Sequence, residues 1–174
     1  MQTFLPYPDF DKTASVLDYK RLGKQRVETL QIVLGILRIN PDGTPKTSKR
    51  TWGDHVVGIM WSSSLDSLLD YQTSIIKEWV GRGYRDTCLD KTKLAIQRAA
   101  KPEHFQGTPV WIGNRDFHRS HQSNLTRKFP EHYGHLWPDV PDDLPYVWPI
   151  ETTIEPLTIK PKRLTIGRTI SRKA

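Results

Sequence analysis

Cysteine is nearly absent: Cys88 is the only one in 174 residues. No internal disulfide can form and no cysteine-built zinc site is possible, which fits a reducing compartment. No apolar run approaches the roughly 20 residues of a membrane span. The first apolar residues are interrupted by Pro6 and Pro8, unlike a secretory signal. Glycine-rich phosphate loops of the forms GxGxxG and GxxxxGK[ST] do not occur, and neither does HExxH. Acid is also scarce, 19 Asp and Glu against 26 Lys and Arg, a net charge of +7. Such a balance suits a polyanion, most often nucleic acid, or else a solubilising surface. The segment 151–174 holds Lys160, Lys162, Arg163, Arg168, Arg172 and Lys173 against Glu151 and Glu155. It is expected to be a basic tail, extended or disordered, behind one domain over 1–150.

What is present is organised around the run from Leu17 to Leu37. Val16, Tyr19, Gly23, Val27, Leu30, Leu34 and Leu37 recur at steps of three and four, and predict the buried stripe of a helix. Arg21, Lys24, Gln25 and Glu28 recur in the same way on the opposite side. That ridge offers a carboxylate, two cations and an amide together, although Lys24 and Glu28 would equally make an ordinary surface ion pair. Gly23, inside the predicted stripe, implies close backbone packing.

Before this helix, two prolines keep residues 1–12 from starting a long helix, so the N-terminus leads almost directly into it. Thr13 or Asp11 is the expected cap. Asn40–Thr51 is a basic loop around the turn Pro41-Asp42-Gly43. From a cap at Asp54, the positions Val57, Trp61, Leu65, Leu68, Tyr71, Ile75 and Trp79 predict one long core helix that ends at Gly81 and Gly83. A short helix follows over Asp90–Ala100. Asn114 caps a third main helix that runs to Phe129, with Phe117, His121 and Leu125 on one face and Arg115, Arg119, Gln122 and Thr126 on another; His118 lies between. Residues 130–149, rich in proline and aromatics, have no period and read as a surface wrap. The expected fold is all-α, a compact single domain of three main helices with long loops.

Glycosidic cleavage on a nucleotide needs a carboxylate to stabilise charge on the sugar or to activate a nucleophile. It also needs cations for the phosphates and a way to take the base out of the stack. Glu28 beside Arg21 and Lys24 suits the first need. Arg26, Arg115, Arg119 and Lys128 add candidate phosphate contacts, with Gln25, His118, His121 and Gln122 as further DNA contacts. His118 and His121 stand at a spacing at which two helical ligands can share a metal, yet no carboxylate joins them at a familiar spacing. No metal and no cofactor is expected.

The stretches MQTFLPYPDF, LDYKRLGKQRVETLQ and FHRSHQSNLTRKFPEHY resemble the bacterial and phage family of pyrimidine-dimer DNA glycosylases, and the similarity runs over about residues 1–149. Arg82-Gly83-Tyr84, closing the second helix, is part of the likeness. The resemblance implies a compact all-α fold with the N-terminus beside the first helix. It implies base removal from DNA, an essential acid at Glu28, and phosphate contacts along Arg21–Arg26. In the family's characterised enzyme the α-amine exposed by removal of the initiator Met attacks the sugar C1′. Here Gln2 is bulky enough to block that removal, so the amine would belong to Met1; the alternative nucleophile is water. The implied partner is DNA, with the protein a monomer in the cytoplasm at the nucleoid. A non-catalytic DNA-binding protein of the same fold is the alternative.

Overall fold

The computed structural model describes residues 1–149, and the predicted basic tail lies outside them. Among the described residues there are seven α-helices and no strand: α1 (Phe10–Val16), α2 (Tyr19–Ile36), α3 (Val56–Trp61), α4 (Leu65–Gly81), α5 (Leu89–Ala99), α6 (Arg115–Lys128) and α7 (Pro130–Tyr133). The all-α class is as expected, but three main helices understate the count. None of the described helices is long and apolar enough to cross a membrane.

Local chemistry sets the boundaries. Asp9, rather than Asp11 or Thr13, caps the short first helix through a bond from Lys12 N at 2.6 Å. Asp18 caps α2 by accepting from Lys20 N and Arg21 N. The predicted single helix from Asp54 to Gly81 is two helices. They part at Ser62-Ser63-Ser64, where the Ser62 hydroxyl turns back to the Ile59 carbonyl at 2.8 Å; serine offers the backbone such local alternatives to the helical ladder. Asp54 closes a 3-10 turn instead, and the imidazole of His55 caps α3. Asn114 caps α6 as expected, accepting from Phe117 N at 3.0 Å.

Helices α1 and α2 each pack on α4, with α5 against α2 and α4. The core includes Leu22, Ile32, Val57, Trp61, Leu65, Leu68, Tyr71 and Ile75. The wrap contributes more than a surface cover, because Tyr133 and Trp137 are buried, stacked 5.7 Å apart.

The predicted stripe of α2 is corrected. Tyr19 is 55% exposed and Val27 41%, whereas Leu22, Gln25, Thr29, Ile32 and Val33 are buried. The reason lies in residues 2–6, a buried segment of no regular structure that runs along α2, α4 and α6. Backbone N–H and C=O groups shut away from water need partners, and here side chains supply them. Gln25 accepts from Phe4 N at 3.1 Å and donates to the Gln2 carbonyl at 2.9 Å. The single proton of the Tyr71 hydroxyl is shared between the Phe4 carbonyl at 3.0 Å and Gln25 Oε1 at 2.7 Å. His121 accepts from Leu5 N at 3.2 Å, His118 donates to the Leu5 carbonyl at 2.8 Å, and Gln122 donates to the Pro6 carbonyl at 2.8 Å. The face of α2 that is polar in sequence is therefore in part its buried face.

Candidate active site

The buried segment delivers the chain's first residues to α2. An open cleft of about 690 Å³ lies there, lined by Met1, Gln2, Phe4, Lys20, Arg21, Lys24, Glu28, Lys128 and Tyr146. Glu28 sits half-buried in its wall. Its Oε2 accepts from Gln25 Nε2 at 3.2 Å and lies 3.5 Å from Gln2 N, one residue from the α-amine. Gln25 is itself fixed, because its Oε1 also accepts from the Tyr71 hydroxyl at 2.7 Å. The carboxylate is thus oriented by a rigid buried amide.

The cations divide into two groups. Arg21 is held in place: it pairs with Asp18 at 2.8 Å and donates to the Lys128 carbonyl at 3.3 Å. Asp18 also accepts from the buried Tyr133 hydroxyl at 2.6 Å. Burial works against its ionisation, but the bonds from Tyr133 and Arg21 prevail and hold its carboxyl below the ordinary value. Among the described residues Lys20, Lys24 and Lys128 make no ion pair. They leave the rim of the cleft positive around a single carboxylate.

The expected site residues separate in the structure. Met1, Arg21, Lys24, Glu28 and Lys128 come together in the cleft. Gln25 is fully buried behind Glu28 and has no surface for DNA. Arg26 turns away, paired with Asp86 at 2.7 Å and lying 4.3 Å over the Trp79 ring. His118 is 5% exposed and His121 not at all, so neither can reach a phosphate. Burial depresses both imidazoles below the ordinary 6.5, His121 to about 3. The bonds fix their tautomers: His118 also accepts from Gly113 N, so it carries its proton on Nδ1, whereas His121 accepts at Nδ1 and carries it on Nε2. Both Nδ1 atoms face Leu5 rather than a shared ligand position. Gln122 is committed to Pro6. Arg115 is exposed, and Arg119 borders a different depression with Asp116, Ser120, Leu144, Pro145 and Val147.

Sequence reasoning missed Lys20, Gln2 and Tyr146 in the cleft wall. Lys20 had a signal, since it stands one turn before Lys24 and two before Glu28. Tyr146 had none, because the aperiodic wrap gives no register.

A helical body with a cationic cleft, one oriented carboxylate and the N-terminus at its edge defines a small polyanion-handling domain. The sequence model of the pyrimidine dimer DNA glycosylase family matches residues 1–92. That is more than half of the chain, and the chain belongs to this family. Membership makes it a DNA glycosylase in general function, with DNA as its substrate. Comparison with curated proteins and with solved structures gives no match.

Proposed function

We propose that the protein excises a damaged or modified pyrimidine from DNA, with Glu28 and the Met1 α-amine as its catalytic groups and an abasic-site lyase step after base release. One observation carries the reading: the Glu28 carboxylate lies 3.5 Å from the amide of residue 2, inside a cleft rimmed by Lys20, Arg21, Lys24 and Lys128. Phosphates dock on the lysines. The neutral α-amine attacks C1′ of the deoxyribose, and the N-glycosidic bond breaks with its electron pair leaving on the base. Glu28 stabilises the positive charge that develops on the sugar. The C1′–O4′ bond of the resulting aminal then opens, a proton passing to O4′, to give a Schiff base, and loss of a C2′ proton from it expels the 3′ phosphate and cleaves the strand. An α-amine suits attack better than lysine, since in general it sheds its proton nearer neutrality. Water activated by Glu28 is the competing nucleophile. Because one chain carries carboxylate, amine and cations, a monomer suffices, and the DNA it serves is that of the cytoplasm, at the nucleoid. Arg115 and Arg119 extend the phosphate track along α6.

The test is a panel of oligonucleotides with pyrimidine dimers and other modified pyrimidines, treated with alkali to reveal abasic sites. The wild-type chain releases base from at least one, and Glu28→Gln abolishes release while retaining fold and DNA affinity. Borohydride traps a covalent adduct that N-terminal acetylation removes. Base release with no trappable adduct assigns the attack to water; full activity in Glu28→Gln removes Glu28 from the mechanism.

A further inference from the structure

Behind the wall of the cleft lie buried polar atoms without a well-formed bond. Both carboxamide atoms of Gln2, the Tyr146 hydroxyl and His121 Nε2 are shut off from solvent without a hydrogen-bond partner. They are neighbours: the His121 and Tyr146 rings meet edge-on at 5.3 Å, and the Tyr146 hydroxyl stands beside the Gln2 carboxamide without a well-formed bond. Gln2 is more than nine-tenths buried, at 8% exposure, and it lines the same cleft as Glu28. Native proteins leave few buried polar groups unpaired, because each has given up water and received nothing in return. Elsewhere the backbone of this segment is well partnered, since Gln2, Phe4, Leu5 and Pro6 are bonded by side chains of α2 and α6. An unsatisfied carboxamide at that place points to a ligand.

We infer that Gln2 is the base-reading residue, and that its carboxamide takes the imide edge of the target pyrimidine, with Tyr146 as the adjoining wall. This rests on the glycosylase reading above. A carboxamide presents one acceptor and two donors side by side. Thymine and uracil present the complement, an N3–H donor next to the O4 acceptor, once the base has lost its pairing partner. The match is bidentate, of the kind glutamine makes with base edges. Dimerisation or saturation alters C5 and C6 and leaves N3 and O4 untouched. Gln2 therefore recognises the pyrimidine, not the damage; damage is selected by how readily the base leaves its pair. Tyr146 belongs to a segment tied to α6 by three side chains: Leu144 N donates to Ser123, the Leu144 carbonyl accepts from Asn124, and Val147 N donates to Ser120. Its half-buried ring adjoins the Gln2 carboxamide, so entry of the base edge requires the ring to turn aside on its anchored backbone. Burial pushes its hydroxyl up to about 12, so it stays a neutral donor.

The experiment measures binding in the full chain carrying Glu28→Gln, which prevents turnover, by anisotropy on duplexes that differ only at the target. The targets are a thymine dimer, 5,6-dihydrothymine, N3-methyl-5,6-dihydrothymine and a tetrahydrofuran abasic analogue. Gln2→Glu keeps the size and loses the donor; Gln2→Met loses both polar atoms. Both side chains are bulky enough to retain Met1, which Gln2→Ala is not. The preference for dimer over abasic duplex is expected to fall roughly 5- to 150-fold in either variant, the worth of a bidentate base contact. N3-methylation should cost the parent a similar factor and cost Gln2→Met nothing further. An unchanged preference ratio overturns the inference, even if both affinities drop, and so does indifference of the parent to N3-methylation. The N3-methyl comparison needs no variant, so a misfolded mutant does not protect the idea. If the wild-type chain releases no pyrimidine from any duplex, the glycosylase reading fails and takes this one with it. Release by wild type with an unchanged ratio sinks base reading alone.

Discussion

Gln25 Nε2 stands 3.2 Å from Glu28 Oε2, one turn along α2, and the same amide grips the backbone of the N-terminal segment. Carboxylate and N-terminus are thus held by one buried side chain. Gln25→Leu would strand Phe4 N and the Gln2 carbonyl, and each unsatisfied buried group costs about 1–3 kcal/mol. The expected result is a fall of about 2–5 kcal/mol in unfolding free energy, read from urea denaturation. Under conditions where the variant is folded, base release should drop more than DNA affinity, because the reacting groups lose their register while the lysines remain. Equal losses in both would show that Gln25 supports the fold and nothing more.

The two sorts of basic residue on α2 should respond differently. Lys24 is exposed at the cleft rim, whereas Arg26 is spent on Asp86 and Trp79. Lys24→Glu should weaken binding to every sequence alike and lower the salt slope by about 0.9 for each phosphate no longer neutralised. Arg26→Ala should leave that slope intact and lower the melting temperature, since it leaves the half-buried Asp86 carboxylate without its pair. A salt titration beside a thermal melt separates the two, and reversed outcomes would place the phosphate track on the Arg26 side.

Gly23 tests a balance of opposing effects. Alanine gains about 1 kcal/mol of helix propensity. Its Cβ, however, would come 2.9 Å from Cζ3 of Trp79 and 3.0 Å from Cη2. That ring cannot easily move: its Nε1 donates to the Arg85 carbonyl at 2.9 Å, and Tyr19 and Tyr84 stack against it at 5.5 and 4.3 Å. Overpacking of this kind costs about 1–3 kcal/mol, so Gly23→Ala should melt lower than wild type. Gly81→Ala meets nothing within 4 Å and should melt no lower.

Gly23 also shows how far the sequence was legible. Its helix, its close packing and the carboxylate among cations could all be read from spacing. The side of α2 that faces inward could not. Tyr19 and Val27 keep a helical period with the apolar residues, yet they are exposed, and Gln25 and Thr29 are buried. Periodicity assumes that an oily face meets an oily core. Here the surface that α2 meets is a peptide segment whose amides need side-chain partners, so polarity and burial coincide. The same substitution of roles misdirects His118, His121 and Gln122, whose pattern on α6 resembles a DNA-facing ridge and whose work is to bond Leu5 and Pro6. No local signal announces such a segment, because its partners are 21 to 116 residues away.

Acid should release that segment. His121 has an ordinary value of 6.5 and is depressed to about 3, chiefly by burial and secondly by the charge His118 would carry. The unfolded chain therefore binds more protons than the folded chain between pH 6.5 and 3, and stability falls as pH drops through that window. At pH 5 the loss from His121 alone is about 2 kcal/mol. His118, depressed in the same direction by burial, adds to it. Asp18 acts in a separate, lower window, below its ordinary 3.8, because its carboxyl is held down. Protonation also has a local meaning: a charged His121 has no lone pair on Nδ1 to accept from Leu5 N, so the tie that sets Met1 and Gln2 against Glu28 is cut. In the folded chain Nδ1 takes that proton only as the pH nears 3, so between pH 6 and 4 base release should be lost only where the lowered melting temperature lets the chain unfold, not by titration of the folded site. His121→Gln keeps an acceptor beside Leu5 and cannot titrate, so its melting temperature should lie lower at pH 7 but depend less on pH from 6.5 to 4.5. A wild-type melting temperature flat over that range would show that the buried histidines are not what ties the N-terminus down.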